Sequence, residues 1–154
     1  LTKKELVEPI KQYINTGKPF LGICLGMQLL MTKSLEFGEF AGLNVIKGKV
    51  IPFQDAAKIN QKRYSIPHMG WNNIINNNSN GSSIFSGLPV NSEFYFVHSF
   101  HIVPENTNYS VSEVEYGGQK FCAILNKENV YATQFHPEKS GMMGMKIVTE
   151  FSEL

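Results

Sequence analysis

Apolar positions along the chain fall first on a helical spacing and then on strand-like alternation. Leu6, Val7, Ile10 and Ile14 recur on one face, which predicts an amphipathic helix over Leu1–Asn15, with Thr2 as its cap and Glu5 in capping-box spacing. Pro19–Ile23 is an apolar run of strand length, and Leu25–Thr32 is rich in helix formers. Helix, strand, helix is α/β construction, and a strand so placed is expected to be buried and parallel to its neighbour. After a polar exit over Lys33–Gly38, Leu43–Phe53 alternates as a strand or a hairpin about Gly48. Gln54–Tyr64 reads as a connection, Ile66–Ile75 carries the only tryptophan, and Asn76–Ser83 has a loop composition. Phe94–Val103 predicts one aromatic, β-branched strand. Val111–Tyr116, Gln119–Asn126 and Asn129–Phe135 then predict an antiparallel meander turning at Gly117-Gly118, and Ser140–Phe151 a closing helix capped by Ser140. Neither a repeat nor a boundary interrupts the pattern, so residues 1–154 read as a single domain.

Composition narrows the possibilities more than it adds to them. The length and the 42% hydrophobic content suit one domain with a real core rather than a disordered chain. Fourteen basic residues against 13 acidic ones, with no cationic run, argue against nucleic acid or a membrane surface as partner, and no apolar stretch reaches membrane-spanning length. The two cysteines, Cys24 and Cys122, make no disulfide framework, so a cytoplasmic location is expected, where a thiol stays reduced.

Chemistry concentrates at the junction of the first strand with the second helix. Gly22-Ile-Cys24-Leu-Gly26 is the cysteine form of a nucleophile elbow: the sharp turn strains the junction residue and excludes a Cβ from its neighbours. A helix N-terminus there is expected to favour the thiolate. The plainer alternative is a buried cysteine between packing glycines. A thiol nucleophile needs a base, for which His68, His98, His101 and His136 compete. His136 stands at the end of a strand in His136-Pro137-Glu138, where the proline stiffens the turn and the carboxylate can orient the ring. Alone, that tripeptide could be a surface turn. His98 and His101, three apart on a strand, are expected on opposite faces, which excludes a shared metal and makes them core positions.

Four segments together carry a resemblance: Pro19–Leu30 with the elbow, Pro67-His-Met-Gly-Trp-Asn72, Tyr95-Phe-Val-His-Ser-Phe100 and Gln134-Phe-His-Pro-Glu-Lys-Ser140. In order and over nearly the whole length, they resemble the class I, triad-type glutamine amidotransferases, most of all the glutaminase subunits of the histidine pathway. The resemblance implies a flavodoxin-like open sheet with antiparallel strands in its C-terminal half. It implies Cys24 as nucleophile, His136 as acid and base and Glu138 as orienter, with no cofactor and no metal. It implies that the Leu25 amide, Gln28, Glu36, Ser99 and Phe100 hold L-glutamine, and that Trp71, Tyr95 and Lys139 line the interface with a (β/α)8 barrel cyclase that receives ammonia. In the family a second oxyanion amide lies in a glycine-rich loop before the region matching Leu1. The first strands are therefore expected to be absent from this sequence, and the chain as given to be catalytically crippled. Other readings stay open: a paralogous glutaminase serving a sugar-modifying synthetase, a stand-alone γ-glutamyl or other cysteine hydrolase, and a non-catalytic binding module.

Overall fold

The computed structural model describes residues 5–53, 64–78 and 83–154. In chain order it runs α1 (Val7–Asn15), β1 (Phe20–Ile23), α2 (Leu25–Leu29), β2 (Met31–Ser34), β3 (Phe40–Ala41), β4 (Ile46–Pro52), β5 (His68–Asn73), β6 (Glu93–His98), β7 (Phe100–Pro104), β8 (Ser110–Tyr116), β9 (Gln119–Lys127), β10 (Val130–Thr133) and α3 (Gly141–Ser152). The strands form three sheets, ordered β1-β10-β9-β8, β3-β2-β4-β7 and β5-β6.

The meander forms as expected. Gly117 and Gly118 both take positive φ, and β8 pairs antiparallel with β9, as β9 does with β10. β1 then joins β10 in parallel, from Phe20 opposite Val130 to Ile23 opposite Thr133. Alternation along β9 sends Phe121 and Ala123 into an aromatic core with Phe53, Phe94, Phe96 and Phe135, and Cys122 into an aliphatic one with Met27, Leu30, Met31 and Val50. Each such large side chain taken from water contributes about 1.5–3 kcal/mol. Phe135, fully buried, stacks on Phe94 at 4.0 Å and so anchors the segment that carries Gln134 and His136.

Several expectations need correction. The first helix starts at Val7 with Leu6 at its cap position, and no side chain caps it; Thr2 lies outside the described residues, as do residues 54–63 of the expected connection. β1 is half-buried rather than buried. The helix after Cys24 stops at Leu29 instead of Thr32, because Met31–Ser34 pairs in parallel with β4; sheet pairing overrides a helical preference that β-branched Thr32 already weakens. The same pairing turns part of the expected exit into strand, while Leu43–Phe53 resolves as the single strand β4. The aromatic strand breaks at Ser99: β6 pairs with β5 and β7 with β4. His98 and His101 therefore do not face opposite ways, and both rings lie against Phe53 and Phe121. Ser140 precedes α3 but does not cap it; its hydroxyl is used elsewhere.

Candidate active site

β1 ends at Ile23, and Cys24 adopts φ 51° and ψ −104°, a conformation held only because the surroundings enforce it. The Cys24 amide donates to the Thr133 carbonyl at 2.7 Å, and its own carbonyl accepts from Gln28 N at 3.2 Å. A Cβ on Gly22 would meet Gly26 C and O at 3.0 Å, so only glycine lets the helix fold back this tightly. Contrary to the expectation of a favoured thiolate, burial pushes the Cys24 thiol up; the Leu25 amide and Gln134 pull it down, and the charge of Glu138 adds to the rise. A helix of five residues, Leu25–Leu29, has too little dipole to reverse that balance.

Because β1 and β10 are parallel neighbours with Ile23 beside Thr133, Cys24 and the segment leading to His136 leave the sheet at one edge. His136 Nδ1 lies 2.6 Å from Glu138 Oε1, across the 3-10 turn Pro137–Lys139. The carboxylate fixes the tautomer with the proton on Nδ1, which leaves Nε2 as the basic atom. Three bonds hold the turn: His136 N donates to Tyr95 O at 2.9 Å, Lys139 N to His136 O at 3.0 Å, and Ser140 Oγ to His136 O at 2.6 Å. The sulfur bonds to Val97 O at 3.9 Å and to Gln134 Nε2 at 3.7 Å, and not to His136. Without substrate such contacts are commonly loose.

Beside the elbow opens a cavity of about 400 Å³, lined by Leu25, Gln28, Ser34, Glu36, Phe37 and Phe40. It gathers three of the five residues expected to hold substrate. Glu36 is half-buried and supplies an anion there. Gln28 spends its Nε2 on Phe100 O at 2.9 Å and Gln134 Oε1 at 3.2 Å, so Oε1 is the amide atom these bonds leave for a ligand. The carbonyls of Ser99 and Phe100 are bonded within the fold, to Phe53 N at 3.2 Å and to Gln28. Sequence reasoning missed Gln134. It is fully buried against the sulfur, and a polar side chain at the end of a core strand, two residues before the histidine, is the signal that could have found it.

The family model for class-I glutamine amidotransferases matches residues 2–152. The chain belongs to that family. Among curated relatives of this amidotransferase, the imidazole glycerol phosphate synthase subunit HisH 1 of Legionella pneumophila (strain Lens) is 41% identical, over all of the chain and 73% of the relative. The subunit HisH of Syntrophotalea carbinolica is 44% identical with the same coverage, and that of Methanocaldococcus jannaschii 46% identical over 97% of the chain and 70% of the relative. Two solved structures share the fold: a putative GMP synthase subunit from Thermoplasma acidophilum, with TM-score 0.58 and 22% identity over 96% of the chain, and a glutamine amidotransferase from Thermotoga maritima, with TM-score 0.63 and 17% identity over 97%. The chain spans 62% and 54% of those two molecules.

Of the remaining predicted residues of this amidotransferase, Trp71 and Tyr95 lie on the β5-β6 pair and Lys139 in the turn after His136. Trp71 stands opposite Tyr95 in the register, with ring centroids 6.1 Å apart, and more than half of its surface is exposed, as is that of Met69 two residues before. The Tyr95 backbone is bonded to both His136 and Ser140, which brings exposed Lys139 beside the same face.

Proposed function

We infer that this chain is the glutaminase subunit of an imidazole glycerol phosphate synthase, hydrolysing L-glutamine and passing the ammonia to a (β/α)8 barrel cyclase in histidine biosynthesis. One observation carries the chemistry: an elbow cysteine and a histidine oriented by a carboxylate leave one sheet edge beside a cavity lined by Glu36. Relatives named as this subunit, at 41% and 44% identity over the whole chain, support the pathway.

His136 Nε2 takes the Cys24 proton as the sulfur attacks the substrate carboxamide carbon. The developing oxyanion is met by the Leu25 amide, and His136 returns the proton to the departing nitrogen, releasing ammonia and leaving a γ-glutamyl thioester. Water deprotonated by His136 then attacks the thioester, glutamate leaves, and the thiol is restored. Glu36 pairs with the substrate ammonium while Gln28, Ser99 and Phe100 hold its other polar groups. Trp71, Tyr95 and Lys139 form the docking face through which the cyclase acts on the His136 turn.

The test is glutamate release by the protein alone, with a barrel cyclase, and with the cyclase and its nucleotide substrate. Stimulation by the complete system, lost in Cys24→Ala, is expected. Turnover that Cys24→Ala leaves unchanged refutes the nucleophile, and indifference to the cyclase refutes the pathway.

A further inference from the structure

Behind the sulfur runs a line of polar groups, of which the hydrolysis scheme uses only Gln28 and Phe100. Asn72 Nδ2 lies 3.3 Å from His68 Nε2, His68 Nδ1 lies 3.0 Å from His98 Nε2, and His98 Nδ1 lies 2.8 Å from the Phe100 carbonyl. On the other side of that carbonyl the line continues through Gln28 Nε2 at 2.9 Å to Gln134 Oε1 at 3.2 Å, and Gln134 Nε2 ends it 3.7 Å from Cys24 Sγ.

A carbonyl oxygen can only accept, so the proton on His98 is on Nδ1 and its Nε2 carries a lone pair. His68 must then donate from Nδ1 and accept at Nε2, which the Asn72 amide satisfies; a second proton of that amide goes to Glu115 O at 3.0 Å. The Phe100 oxygen likewise requires the nitrogen of Gln28 to face it. That same nitrogen faces Gln134 Oε1, which leaves the nitrogen of Gln134 turned to the sulfur. Reversing any one amide or tautomer sets donor against donor or acceptor against acceptor somewhere along the line. Burial holds His68 and His98 neutral, with pKa values lowered to about 4 and about 3, so each ring has a single N–H at neutral pH.

We propose that Gln134 is the positioning residue for the Cys24 sulfur, its amide held nitrogen-first by a relay that runs from the Phe100 carbonyl through Gln28, that carbonyl being held from its other side by the branch Asn72, His68 and His98. The proposal rests on Cys24 being the nucleophile, and it assigns work to five side chains outside Cys24, His136 and Glu138. An amide nitrogen at the sulfur stabilises the thiolate, whereas an amide oxygen there would repel it. The charge of Glu138 opposes the thiolate, and the Gln134 donor works against it.

The experiment reads the sulfur directly. Iodoacetamide alkylation of Cys24 in the full protein is followed by peptide mass spectrometry from about pH 5 to 10, with thermal melts to establish folding; Cys122, buried and with its thiol pushed up to about 12, does not compete. Gln134→Met keeps the shape but removes the donor, and is expected to slow alkylation at neutral pH about tenfold and to shift the profile to higher pH. His98→Phe, which removes one of the two donors that fix the Phe100 carbonyl and leaves Gln28 alone on it, is expected to give a smaller shift in the same direction, and His98→Asn, which keeps a donor at the Nδ1 position, to restore the parent profile. If folded Gln134→Met or folded His98→Phe alkylates with the parent profile, the relay is wrong, while the glutaminase reading stands on its own assay.

Discussion

The backbone amide of His136 donates to the carbonyl of Tyr95 at 2.9 Å, which hangs the imidazole turn from the strand that carries one of the proposed docking residues. Ser140 closes this link: its hydroxyl donates to His136 O at 2.6 Å and accepts from Tyr95 N at 2.9 Å. Ser140→Ala leaves the part-buried Tyr95 amide without its partner, which costs on the order of 1 kcal/mol. Denaturant unfolding is expected to show that loss. Because the turn orients the base rather than holding substrate, kcat should fall several-fold with little change in KM, measured with the cyclase present.

α3 packs on the same turn at Gly144. A Cβ there would lie 2.0 Å from the Pro137 carbonyl oxygen and 2.7 Å from Ser140 Cβ, closer than any side chain adjustment relieves. Gly144→Ala must therefore move either the helix or the His136-Pro137-Glu138 turn, with an expected loss of at least about 2 kcal/mol in stability and a fall in glutaminase rate. Met142→Ala, at a side chain 84% exposed two residues earlier on α3, is the control and should stay within about 0.5 kcal/mol. Equal effects of the two would show that the close approach is not what matters.

The elbow and the His136–Glu138 pair were legible because their chemistry is written locally: glycines either side of Cys24, and a proline that locks the histidine to the carboxylate. The meander was legible for the same reason, since alternation and a Gly-Gly turn lie within neighbouring residues. What could not be read depends on partners far along the chain. Nothing in Phe94–Val103 marks Ser99 as a break; the break exists because β6 and β7 pair with different strands. Met31–Ser34 becomes strand because β4 lies beside it. Gln134 gains meaning only when a residue 110 positions away in sequence is brought to its amide.

The buried histidines give stability a pH dependence with a definite sign. Burial lowers His68 to about 4 and His98 to about 3, against an ordinary value of 6.5. Above that ordinary value both folded and unfolded chains hold neutral rings, and the fold loses nothing. As pH falls below it, the unfolded chain takes up protons that the folded one refuses, so stability drops until the folded rings protonate as well. The loss at about pH 5 is on the order of 2 kcal/mol per histidine. Denaturant unfolding between about pH 7 and 5 should show the decline, and His68→Phe should reduce its slope, with His98 and His101, whose pKa burial also lowers, keeping the rest. A flat profile would mean that the rings are not shielded from water.

Glu36 supplies the anionic group of the cavity beside the elbow, while Leu25 and Gln28 face the same space. Glu36→Gln keeps the size and removes the charge that pairs with the substrate ammonium. The expected result is a KM for glutamine raised about tenfold or more, with kcat changed far less, because the ammonium is remote from the bond being broken. Steady-state glutamate release separates the two constants; an unchanged KM would remove Glu36 from the substrate site.

Trp71 and Lys139 are exposed, and neither fills a core, so removing them should leave the isolated fold within about 0.5 kcal/mol of its parent. Their position still matters. Trp71 leans on Tyr95, Tyr95 O receives His136 N, and Lys139 N is bonded to His136 O, so a partner pressing on this face pushes directly on the backbone that aims the base. Trp71→Ala and Lys139→Ala are therefore expected to melt like the parent while weakening association with the cyclase or changing the ratio of stimulated to basal glutamine hydrolysis. Titration calorimetry and the coupled assay measure the two effects separately. Variants that bind the cyclase and respond to it as the parent does would place the docking face elsewhere, and would leave the Tyr95 link to His136 a structural strut only.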